Sequence, residues 1–77
     1  MNQAPPPDRI RWLKPSGAPV SCTEKVKVLD ENYADLRQQL QDMLDDALLM
    51  GCDEAQVRQA FAHLALGLPA TVAPSGE

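Results

Sequence analysis

From Cys22 to Met50, apolar side chains recur at Cys22, Val26, Leu29, Tyr33, Leu36, Leu40, Met43, Ala47 and Met50. The steps alternate four, three, four, three without a break. That rhythm places every one of these side chains on a single seam of one long helix. A strand would need alternation in twos. At ~1.5 Å per residue the stretch makes a rod of roughly 43 Å. A rod with a greasy seam cannot shelter that seam alone, so it needs a companion.

The punctuation around the seam supports this reading. Ser21-Cys22-Thr23-Glu24 fits a capping box, with Ser21 expected at the helix start and Glu24 reaching back to it. Gly51 can take the left-handed conformation that closes a helix. Asp53 is then placed to cap a second helix, with Gln56 three residues on. Val57, Phe61, Leu64 and Leu68 repeat the four–three spacing, beside Ala60 and Ala65, and Gly67 and Pro69 stop it. The expected fold is mainly α: a long helix over about 22–50 and a short helix over about 54–66, folded back as an antiparallel helical hairpin. Paired about the turn, Val57 should meet Ala47, Phe61 meet Met43, Leu64 meet Leu40 and Leu68 meet Leu36, with Arg58 near Asp46.

Ahead of the helices the composition changes. Residues 1–9 contain three consecutive prolines and few apolar groups, as expected of a disordered arm. In Lys14-Pro15-Ser16-Gly17, Pro at the second place and Gly at the fourth suit a type I turn. Its flanks, residues 10–20, can pair as a short β-hairpin, with Ile10 and Trp12 on one face and Pro19 limiting the second strand to an edge. So short a hairpin is unstable in water and must lie on something, and Trp12 is the obvious plug over the seam. Residues 10–68 thus read as one small helical domain and 69–77 as a flexible tail.

A 77-residue chain buries only about 60% of its unfolded surface, so its core is marginal. Chains of this size usually add disulfides, a metal or a second subunit. Cys22 and Cys52 cannot make a disulfide framework, and the Cys/His spacing of a zinc site is missing. Oligomerisation is the supplement left. The formal net charge of −4 argues against a nucleic-acid footprint and against a helix lying on anionic lipid. Without an apolar leader or an apolar run near ~18 residues, the expected location is the cytoplasm.

Reactive chemistry finds little to stand on. Asp42, Asp45 and Asp46 crowd one helix face and could in principle hold a cation. A metal-dependent enzyme would bring a second carboxylate cluster to face them, so a solvated acidic face is the simpler reading. His63, the only histidine, lacks a serine or cysteine nucleophile partner. Cys22 reads as a small core residue. Cys52 stands beside Asp53 and Glu54, the wrong setting for a thiolate. Two helices meeting at a glycine-containing turn invite comparison with helix–turn–helix proteins, but the second helix carries one arginine, too few phosphate contacts for DNA.

The expected function is therefore non-enzymatic, without cofactor or metal: a small dimeric protein-interaction module, acting as an adaptor or regulatory subunit for an unidentified protein partner. A small nucleic-acid-associated regulator and an accessory subunit of an enzyme complex are the alternatives. The expected interface comprises Cys22, Val26, Leu29, Tyr33, Leu36, Leu40, Leu44, Leu48 and Trp12, with Asp42, Asp45 and Asp46 as an acidic surface. Lys25 and Lys27 near the start of the long helix and the three aspartates near its end both oppose the helix dipole. An antiparallel homodimer, pairing Lys25 with Asp46, Asp30 with Arg37 and Asn32 with Gln39 across the two copies, would offset that.

Overall fold

The computed structural model describes residues 10–74. They hold two helices in contact with each other, α1 (Thr23–Leu49) and α2 (Glu54–Gly67), as the mainly α helical hairpin requires. The ends of both lie within a residue of the expected boundaries. The expected disordered arm, residues 1–9, lies outside the described residues, as does the end of the tail from 75 to 77. The chain divides between Asp35 and Leu36 into two compact units, so α1 gives its first half to one and its second half to the other.

The second unit contains the hairpin. At the end of α1 the Gly51 amide donates to the Leu48 carbonyl (3.0 Å) and the Cys52 amide to the Ala47 carbonyl (2.9 Å), with Gly51 at φ +95°. These two bonds form a Schellman cap, which satisfies carbonyls that the helix end would otherwise strand. A Cβ built on Gly51 meets nothing within 4 Å, so the space is open and only the backbone conformation demands glycine. Gly51→Ala should therefore destabilise by about 1–2 kcal/mol, the left-handed penalty alone. Urea titration should show a lower midpoint at unchanged slope. Across the turn, Asp53 takes an extended backbone (φ −74°, ψ 130°), and its Oδ2 accepts from the Gln56 amide at 2.9 Å. That is the N-cap read from the sequence.

The only buried side chains among the described residues are Leu44 on α1 and Val57 on α2, each 8% exposed. Leu40, Ala47 and Phe61 are half-buried. The face of α1 turned to α2 is thus centred on Leu44 and not on Met43, which is 52% exposed. One residue is about 100° of helix rotation, so the Met43–Phe61 layer expected from the seam is corrected. The outer layers also differ from expectation, because Leu64 (61%) and Leu68 (66%) are exposed. Leu68 lies past the helix in an extended conformation (φ −71°, ψ 129°) and has left the helical face. Arg58 pairs its Nε with Glu54 Oε2 at 3.0 Å, one turn back on its own helix, and not with Asp46. The helix itself delivers that i,i+4 partner, whereas one on the other helix must be reached.

The first unit contains the arm and the first half of α1. The Gly17 amide donates to the Lys14 carbonyl (2.9 Å) and Gly17 sits at φ +93°, while the Lys14 amide donates to the Ala18 carbonyl (2.8 Å). This is a type I turn closed by a left-handed residue, the usual three-residue reversal. Beyond it the pairing amounts to one antiparallel bridge between Leu13 and Pro19 and a bond from the Val20 amide to the Trp12 carbonyl (2.9 Å). The β-hairpin expected for residues 10–20 is therefore corrected to a hydrogen-bonded turn, with no strand among the described residues. Leu13 and Pro19 sit opposite each other between the Lys14–Ala18 and Val20–Trp12 bonds, so the Pro19 nitrogen faces the outer edge, and pairing ends where the chain turns toward α1. Alternation survives without the strands: Ile10, Trp12 and Lys14 are partly covered, Arg11 and Leu13 exposed. The Val26 amide donates to the Cys22 carbonyl (3.0 Å), which makes Cys22 the cap position of α1 and displaces the expected Ser21 box by one residue. With Val20 held to Trp12, Ser21 and Cys22 make the change of direction into the helix.

Candidate functional site

Trp12 is where the arm meets α1. Its indole Nε1–H donates to Asp30 Oδ1 at 2.9 Å. Its ring stands edge-on to Tyr33, with centroids 6.1 Å apart and planes at 78°. Asp30 and Tyr33 are three residues apart on α1, hence neighbours on one face. A single indole thus satisfies its one donor and buries an edge together, which is what a tryptophan needs when it leaves water. Trp12 belongs to the chain's own packing, as the plug reading expected. Asp30 was the residue missed as its acceptor; the available signal was an acid one turn before the seam's tyrosine.

The apolar seam of α1 separates into two columns, each repeating every seven residues. In the column Val26, Tyr33, Leu40, Ala47, every side chain is half-buried. In the column Cys22, Leu29, Leu36, Met43, Met50, only Leu29 is half-buried and the rest are exposed. The split is plain in the second unit, whereas in the first Leu29 is half-buried along with Val26 and Tyr33. In the first, Val26 and Tyr33 lie on the covered column, Tyr33 with Trp12 against it. In the second, Leu40 and Ala47 flank buried Leu44 while Leu36 and Met43 remain about half exposed. Of the residues expected at an interface, Leu44 is buried in the hairpin and Leu48 is 37% exposed.

Further apolar surface lies where the seven-residue arithmetic did not look. Leu49 (86% exposed) stands one turn beyond Asp45 and Asp46, and Leu66 (85%) lies on the outside of α2. The acidic residues are exposed, as expected of a solvated face. Asp42 accepts from Gln38 Nε2 (2.9 Å) and Asp45 from Gln41 Nε2 (3.1 Å), both bonds along α1. Among the described residues no three His, Cys, Asp or Glu side chains are arranged to hold a metal ion. Cys22 and Cys52 are exposed free thiols, and His63 is exposed. No helix among the described residues is long and apolar enough to cross a membrane.

No family model, curated protein or solved structure matches the chain.

Proposed function

We propose that this chain is a non-enzymatic protein-interaction module that works as a dimer, an adaptor or regulatory subunit placed in the cytoplasm. One observation carries the reading: the uncovered column of α1, with Leu36, Met43 and Met50 half or more exposed, in a domain whose described residues bury only Leu44 and Val57. Two buried side chains among the described residues are a thin core for a small domain, and chains of this size usually add a second subunit. Exposed apolar surface of this extent on a small protein marks a contact site more often than an idle one. The exposed acids beside it set the polar rim that such contacts carry.

Size-exclusion chromatography with light scattering tests the proposal directly. The expected mass is that of two chains at micromolar concentration, falling toward one on dilution. A one-chain mass throughout the micromolar range would overturn it. Leu66→Ala, on the outer side of α2, should leave the mass unchanged.

A further inference from the structure

We infer that the dimer's second copy lies antiparallel along the uncovered column of α1, with Leu36 at the two-fold axis. The inference rests on the dimer reading above and adds the occupant's orientation and register. Its support is the order of charge along the chain. Residues 9–29 carry Arg9, Arg11, Lys14, Lys25 and Lys27 against Glu24 alone, whereas residues 38–54 carry Asp42, Asp45, Asp46, Asp53 and Glu54 and no base. A strip that is basic at one end and acidic at the other complements itself only when reversed. The last turn of α1 also has no basic residue to meet the helix dipole. Reversal brings the other copy's lysines to that end.

The register follows from the column. Two-fold pairing about Leu36 sets Leu29 opposite Met43 of the second copy and Cys22 opposite its Met50. On the flank, three residues after each column position, Lys25 then falls beside Asp46 of the second copy, and Asn32 beside its Gln39. Symmetry makes each pairing twice. A shallow apolar hollow on α1 framed by Glu24, Lys25, Val28 and Leu29 lies opposite residues 43–48 of the other copy. Met43 has the flexible, polarisable side chain suited to fill it. A parallel pairing would instead set each exposed Cys22 against its own symmetry mate and the acidic ends against each other.

Charge reversal and crosslinking together test this. Lys25→Glu and Asp46→Lys should each weaken dimerisation about tenfold, and Lys25→Glu/Asp46→Lys should restore it to within about threefold. Each single change improves the fit of α1 to its own dipole, so a loss of dimer cannot be put down to a weakened helix. In a Cys52→Ser background, Met50→Cys should yield an intermolecular disulfide between Cys22 and position 50 on mild oxidation, identified by peptide mass spectrometry. Cys52→Ser alone should not crosslink. A Cys22–Cys22 disulfide in that background, or no rescue by the double reversal, would overturn the antiparallel register while leaving the dimer standing. A protein that light scattering finds monomeric removes the dimer itself.

Discussion

Leu44→Ala should destabilise the hairpin by about 2–3 kcal/mol, the lower part of the range for deleting a buried leucine, because its half-covered neighbours can settle into the space. Leu44 is one of two side chains among the described residues that reach 8% exposure. A loss of that size is a large fraction of what so small a domain has available. The expected result is a broad, low-temperature thermal melt by far-UV circular dichroism, with much of the helical signal gone at 37 °C. Met43→Ala is the informative contrast. The periodic seam gives Met43 the central layer against Phe61, yet it is about half exposed. Its replacement should cost the monomer well under half as much as the Leu44 change, measured below the concentration at which chains associate. Equal losses would show that the hairpin turns the Met43 side inward after all.

Trp12→Ala should release the arm and leave the helices standing. The side chain supplies both the Asp30 hydrogen bond and the edge contact with Tyr33, and it is only partly covered. Its removal should therefore cost about 2 kcal/mol of local stability, less than the 3–5 kcal/mol typical of a fully buried tryptophan. Amide exchange should locate the effect. The amides of Lys14, Gly17 and Val20, which close the turn, should lose protection, and those of α2 should keep theirs. Trp12→Phe separates the two contributions, because the ring edge remains while the hydrogen bond is lost, at about 1 kcal/mol. Asp30→Asn keeps an acceptor oxygen and should fall below Trp12→Phe in cost. Loss of protection in α2 on Trp12→Ala would mean that the arm supports more than its own segment.

Much of this architecture is legible from residue types because the signals are local. Gly51 closes α1, Asp53 caps α2 and Pro15 with Gly17 makes the arm's turn, each through chemistry confined to four or five residues. What could not be read were choices made by competition. The seam is continuous in the sequence, and nothing in its spacing says which of its two columns is covered; in the second unit Leu40 and Ala47 are half-buried while Leu36 and Met43 are exposed. The arm contains the residues of a hairpin, but pairing ends after one bridge, where Ser21 and Cys22 turn the chain into α1. At the candidate site, the apolar column was visible as periodicity and Leu49 as a broadening of the apolar face, whereas the outward Leu66 emerges only from its exposure in the fold. The capture of Asp30 by Trp12 needs the arm's path and could not come from α1 alone.

Pro19 has a consequence beyond its own turn. A reversal that could keep pairing would present a row of open amides and carbonyls, an invitation for extended segments of other molecules to add on, without limit to their number. With its amide removed at that place, the arm is a poor template for such growth. Association is thereby steered to the helices, whose side chains can specify a partner and a stopping point.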